Sequence, residues 1–205
     1  MSLTKNAATA TDPAPIGSPA DASVELLFID IETVCLAPCV GSVWEVAWAT
    51  LHGPIETIQI VPDLAHAEIA ALKINGFVDR YDAAEALSPS DAVERLDDVL
   101  IGSDDQPRYV LAGAAPWFDA DHLNRLPWEN VALQPGGLWH HHHVDVPAVV
   151  AGRLGPGAVP LPARLSTVAR AAAFILDAYD RHTAGGDVAL TRDLYFWWKG
   201  QSGDL

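Results

Sequence analysis

Apolar residues recur along this chain first at the spacing of strands and then at the spacing of helices. Glu25 to Ile31 (ELLFIDI) is a nearly continuous apolar run, with the length and composition of a strand buried on both faces. Val43 to Leu51 (VWEVAWATL) and Ile55 to Val61 (IETIQIV) follow as two more strands. His52-Gly53-Pro54 between them signals a turn, so the pair reads as a hairpin and the three as adjacent antiparallel strands, the first being a central strand of the fold. Helical spacing then appears over residues 63 to 74 and 90 to 101, where Ala92, Val93, Leu96, Val99 and Leu100 follow a Ser-Pro-Ser start. Tyr109 to Ala112 reads as a short strand, Pro116 to Leu126 as a helix with Pro near its start, and His143 to Val146 as a further strand. A Gly- and Pro-rich loop from Gly152 to Pro162 leads to a helix over Ala163 to Ala173, and a last helix runs from Asp187 to Trp198. There is no internal repeat. A strand meander followed by alternating helices and strands predicts one α/β domain over residues 23 to 199, built on a mixed sheet.

Residues 1 to 22 are rich in Ala, Pro, Thr and Ser and read as a disordered leader, with residues 200 to 205 as a tail. No run of about 18 apolar residues exists, and no basic-then-apolar N-terminal pattern, so neither a membrane span nor a secretory signal is expected. Cys35 and Cys39, four apart, make neither a disulfide framework nor a four-ligand zinc site, which leaves a reducing cytoplasm as the expected location. The net charge of −15 argues against a protein that coats nucleic acid or anionic membrane through a broad basic face. That excess is uneven: residues 153 to 205 hold 6 Lys and Arg against 5 Asp and Glu.

Three short segments carry candidate chemistry. Asp30-Ile31-Glu32 ends the first strand, where alternation sends both carboxylates to one side and Ile29 and Ile31 to the other. Two such anions repel each other and lose hydration, which a divalent cation such as Mg²⁺ or Mn²⁺ would offset; a pair of solvated strand-end acids fits the same spacing. Asp119, just inside a helix start after Gly113-Ala114-Ala115-Pro116, is either a metal ligand or an ordinary acid at the positive helix end. His182 and Asp187 are about 140° apart on an ideal helix. Gly185 and Gly186 between them instead favour a turn carrying the His, with Asp187 anchored on the helix that follows.

Together these residues resemble the DEDDh family of 3′-5′ exonucleases, the proofreading-subunit-like (DnaQ-like) branch of the ribonuclease H-like superfamily. Asp30-Ile31-Glu32-Thr33 matches the first motif, Phe118, Asp119 and Leu123 the second, and His182, Ala184 and Asp187 the third, in the family's order and over roughly residues 25 to 198. The resemblance implies a ribonuclease H-like mixed five-stranded sheet flanked by helices. It also implies 3′-5′ hydrolysis of single-stranded DNA or short RNA, with release of nucleoside 5′-monophosphates. Asp30, Glu32, Asp119 and Asp187 would hold two divalent cations, Mg²⁺ or Mn²⁺, and His182 would be the general base on a movable Gly-flanked turn. Glu32 would also contact the terminal 3′-hydroxyl. Where the family often carries His-Asn before the second motif, this chain has Gly113-Ala114-Ala115-Pro116. His140 to His143, before Val-Asp-Val, are similar to a His-rich run of some phage-type members, and otherwise read as a strand start exposing imidazoles or an adventitious Zn²⁺ or Ni²⁺ site.

Thr33, Trp117 and Phe118 are the candidate substrate-binding residues, since bases stack on aromatic rings, while most of the seven Trp, including Trp44, Trp48, Trp197 and Trp198, are expected in the core. Arg164, Arg170, Arg181 and Arg192 would meet phosphates or simply face solvent. The expected partner is a single-stranded nucleic-acid 3′ end, and no polymerase- or replication-protein-binding motif is identifiable. Two other classes remain open at this point: a non-catalytic member of the fold that binds nucleic-acid ends or a protein, and a metal-handling protein built on His140 to His143.

Overall fold

The computed structural model describes residues 25–37, 42–100, 109–128 and 138–200. The expected leader, Cys39 and residues 201–205 lie outside them. Five strands form one sheet: β1 (Glu25–Thr33), β2 (Val43–Thr50), β3 (Glu56–Gln59), β4 (Tyr109–Gly113) and β5 (Val144–Asp145), in the order β3-β2-β1-β4-β5. β2 runs antiparallel to both β1 and β3, whereas β4 is parallel to β1 and to β5. The central position of the ELLFIDI strand and the mixed α/β sheet are as the apolar pattern predicts.

Side-chain alternation along β1 divides the core into two layers. Leu27, Ile29 and Ile31 pack with Val46 and Trp48 against α3 (Pro89–Leu100) and α4 (Pro116–Leu123), through Ala92, Leu96, Leu100, Ala120 and Leu123. On the other face Phe28, Ala47, Ala49 and Ala112 meet α5 (Val146–Leu154), α6 (Leu165–Ala171) and α7 (Ala184–Lys199). A smaller cluster of Val34, Trp44 and Phe77 closes the end of β1 beneath α1 (Ile69–Ile74) and α2 (Phe77–Arg80). Trp44, Trp48 and Trp139 are buried, and Trp197 and Trp198 pack on the second layer, as expected of core tryptophans. Among the described residues no helix is long and apolar enough to cross a membrane.

Three elements differ from their sequence expectation. The helix expected over 63 to 74 shortens to α1, and Asn75 and the left-handed Gly76 (φ 65°) lead from it into the separate α2 beyond that range. β5 has only two residues because Asp145 becomes the cap of α5, its carboxylate accepting from the Ala148 N–H at 3.0 Å, so a Val-rich segment turns helical. α7 begins at Ala184, which puts Gly185 and Gly186 inside its first turn and not in a turn before it. Thr183 is the reason: its hydroxyl accepts from the Gly186 N–H at 3.0 Å and donates to the Asp180 carbonyl at 2.7 Å. Gly186 is required sterically, since a Cβ there would lie 1.9 Å from the Asp180 oxygen, whereas a Cβ at Gly185 would only come within 3.3 Å of Thr57 Oγ1.

This start for α7 predicts unequal effects of two alanine substitutions. Gly186→Ala should cost about 2 kcal/mol or more in urea unfolding, and Gly185→Ala no more than about 1 kcal/mol. Equal tolerance of both would mean that the helix starts later.

Candidate metal centre

Because Asp30 and Glu32 share the parity of Phe28, β1 delivers both carboxylates to the face that α7 covers. Asp187, in the first turn of α7, meets them there, and one carboxylate oxygen from each of Asp30, Glu32 and Asp187 lies within 4.8 Å of the others. Asp119 joins from α4. It is buried, and its Oδ2 has no hydrogen-bond partner among the described residues. Gly113 makes room for it: a Cβ at Gly113 would stand 2.8 Å from the Ile29 carbonyl and 3.6 Å from Asp119 Oδ2.

Glu45 belongs to the same group, a member the sequence reading missed. It stands directly opposite Glu32 in the β1–β2 register and is buried, so a like-charged pair faces itself across two central strands. The signal was present in VWEVAWATL, where one Glu interrupts a run whose every other residue through Ala49 is apolar. Arg80 neutralises it with a direct ion pair and also donates to the carbonyls of Asn75 (2.6 Å) and His182 (3.1 Å), its guanidinium lying over the Trp44 ring. Glu45 accepts in addition from the Ala184 N–H at 2.9 Å, and Asn75 donates to the Thr33 carbonyl at 2.9 Å. The end of β1, the α1–α2 corner and the start of α7 are thus tied together.

Among the described residues two cations therefore serve five carboxylates: Arg80 pairs with Glu45, and Arg181 with Asp187 through Nε at 2.5 Å. Asp30, Glu32 and Asp119 have no ion pair among the described residues. Burial, then the charges of Asp119, Asp187, Glu32 and Glu45, push the Asp30 carboxyl well above its usual range. Burial, with Asp187 and Glu45, pushes Glu32 up to about 8 despite Arg80 and a hydrogen bond from Asn75. Asp119 is raised mainly by burial, partly offset by the Ile31 backbone N–H. An all-oxygen, all-anionic set with an orphaned buried oxygen fits hard divalent ions such as Mg²⁺, Mn²⁺ or Ca²⁺.

His182 is exposed at the rim, in left-handed conformation (φ 62°), with its carbonyl held by Arg80. The turn that carries it is fastened by Thr183, Glu45 and Arg80, in contrast to the expectation of a movable Gly-flanked turn. Thr33 is buried, its hydroxyl donating to the Cys35 carbonyl at 2.7 Å. Phe118 packs beside His122 against the Ile29–Ile31 layer, and Trp117 is 56% exposed. The imidazoles of His140, His141 and His142 stack on one another with centroids 4.1 to 5.0 Å apart, and no metal-ligating group among the described residues includes them. Arg192 donates to the Gly53 carbonyl and Arg181 is committed to Asp187, while Arg164 and Arg170 are exposed.

The fold is shared with solved structures of exonuclease I. The E. coli enzyme in complex with a dT13 oligonucleotide matches with a TM-score of 0.66 and 18% identity, over 86% of this chain and 41% of that one. A zinc-bound form of the E. coli enzyme with single-stranded DNA gives 0.67 and 18% over 87% and 41%, and a structure described as suggesting how processivity is achieved gives 0.68 and 17% over 86% and 41%. The chain thus spans about two fifths of the length of these structures. No family model matches the sequence, and no curated protein sequence matches it significantly.

The carboxylate charges predict the sign of a pH effect. In the unfolded chain Glu32 loses its proton near the ordinary value of about 4.3, but in the metal-free folded protein only near 8. Ionisation therefore drains stability progressively between these values, fully so above the folded one. In EDTA, Glu32→Gln should be more stable than the parent by at least about 1 kcal/mol at pH near 8.5, with the gap closing by about pH 4.5. Urea unfolding across pH measures it; a gap independent of pH would contradict the burial of that charge.

Proposed function

We propose that the chain is a metal-dependent 3′-5′ exonuclease of the DEDDh type, hydrolysing single-stranded DNA or short RNA from the 3′ end with release of nucleoside 5′-monophosphates. The observation that carries this reading is the gathering of Asp30, Glu32 and Asp187 from separate segments, with the buried Asp119 oxygen beside them and too few internal cations. The shared fold with exonuclease I, solved with a dT13 oligonucleotide and with single-stranded DNA, supports it.

Asp30, Glu32, Asp119 and Asp187 would hold two divalent cations, Mg²⁺ or Mn²⁺. When bound, the ions supply Lewis-acid polarisation of the scissile phosphate and stabilise the leaving 3′-oxygen. The protein's own part is positional. β1 and α7 hold the ligands before any ion arrives, and Arg181 keeps Asp187 oriented. His182 takes the proton of the attacking water, a role suited to an exposed imidazole presented on a fastened turn. Glu32 contacts the terminal 3′-hydroxyl, selecting chain ends, and Thr33, Trp117 and Phe118 border the path of the strand.

A 5′-labelled oligonucleotide with Mg²⁺ or Mn²⁺ tests the reading. The expected result is a ladder of shortened products that is abolished in Asp30→Ala and slowed about 100-fold or more in His182→Ala. Absence of a ladder with DNA and RNA under both metals would overturn it.

A further inference from the structure

His182, Thr183 and Ala184 carry the chain from the exposed rim into α7, and one ion pair grips that stretch at both ends. Arg80 Nη1 donates to the His182 carbonyl at 3.1 Å, and Glu45 Oε2 accepts from the Ala184 N–H at 2.9 Å, while Arg80 Nη2 and Glu45 Oε1 bind each other. The Ala184 N–H belongs to the first turn of α7, where a helix offers no acceptor of its own, so Glu45 supplies its partner.

His182 needs such a grip. Its φ of 62° is a left-handed conformation that residues with a side chain adopt uncommonly and keep only where the surroundings impose it. The imidazole is exposed, so burial of the side chain does not impose it. Arg80, by contrast, is anchored before it reaches the turn. Gln59 of β3 donates to its carbonyl at 2.9 Å, and the guanidinium lies 5.0 Å from the Trp44 ring centroid. The left-handed Gly76 leaves room for its stem, since a Cβ there would stand 3.1 Å from Arg80 Cδ. The fork thus meets Glu45, the Asn75 carbonyl and the His182 carbonyl, three acceptors from three segments. A lysine ammonium would carry the same charge without that planar fork.

We propose that Arg80 is a positioning residue for the general base: through Glu45 and the His182 carbonyl it sets the place of the imidazole at the rim of the carboxylate cluster. The proposal rests on the nuclease reading for what the imidazole does. The hold on the turn is independent of that reading and is measured separately. Two roles for Arg80 predict different outcomes. If it served only to cancel the charge of Glu45, a lysine would suffice. If it served the ion ligands, metal affinity would move.

The test is Arg80→Lys in the full chain, made in the parent and in His182→Ala, with hydrolysis of a 5′-labelled thymidine oligonucleotide in Mn²⁺, Mn²⁺ calorimetry and amide hydrogen exchange. In the parent background kcat should fall about 10-fold or more, with KM and Mn²⁺ affinity within about twofold. In the His182→Ala background the same change should cost less than about twofold, because the group it positions is gone. The Ala184 amide should exchange about 10-fold faster or more, while the β1 amides of Leu27 and Ile29 keep their rates. As a second variant, Arg80→Ala should regain about fivefold or more in kcat from millimolar ethylguanidinium, and only where His182 is present. Parental kcat in Arg80→Lys, an equal loss in both backgrounds, Mn²⁺ affinity falling in step with kcat, unchanged Ala184 exchange, or rescue without His182 would overturn the proposal. Absence of a product ladder from the parent would instead remove the nuclease reading, leaving the Ala184 exchange to decide whether Arg80 holds the turn.

Discussion

Repulsion among buried carboxylates is the constraint on which this structure turns. Asp30, Glu32, Glu45, Asp119 and Asp187 act on one another across the end of β1, and the fold supplies Arg80 and Arg181 as their internal counter-charges. Three carboxylates without an ion pair among the described residues, in a half-dry site, are costly, and proteins retain such an arrangement where an ion or proton completes it. The opening charge of −15 takes on a different meaning here. Part of it is a local deficit that divalent ions would fill.

The division of labour between the two arginines explains why the site holds its shape. Arg80 cancels Glu45, a buried carboxylate of β2, and at the same time binds the carbonyl of His182 and the α1–α2 corner. One guanidinium thus fastens strand, corner and the turn that presents the imidazole. Its fork of donors suits this task in a way a lysine would not. Arg181 does less, orienting Asp187 while leaving the other carboxylates bare.

Much of this was legible in the residue pattern. Strand alternation places Asp30 and Glu32 on one face, and the order of the three motifs brings Asp119 and Asp187 toward them. What local reasoning could not supply was long-range. Glu45 becomes a partner of Glu32 only through the antiparallel register, and Arg80 reaches it from a corner whose four-residue helix α2 has too few turns to show a period. Gly185 and Gly186 read as a turn because glycine disfavours helices, but the Thr183 cap and the contact with the Asp180 carbonyl override that preference. The strand expected over His143 to Val146 is cut short for a related reason: Asp145 caps a helix that begins at Val146, so valines of strand-like composition turn helical.

The central claim is that the three unpaired carboxylates, together with Asp187, are completed by divalent cations. Anomalous scattering from crystals soaked in Mn²⁺ tests it directly. The account predicts two peaks roughly 3.5 to 4 Å apart, bounded by Asp30, Glu32, Asp119 and Asp187 and absent from an Asp30→Asn crystal. No peak in that cluster at millimolar Mn²⁺, with the carboxylates in the same places, would contradict it.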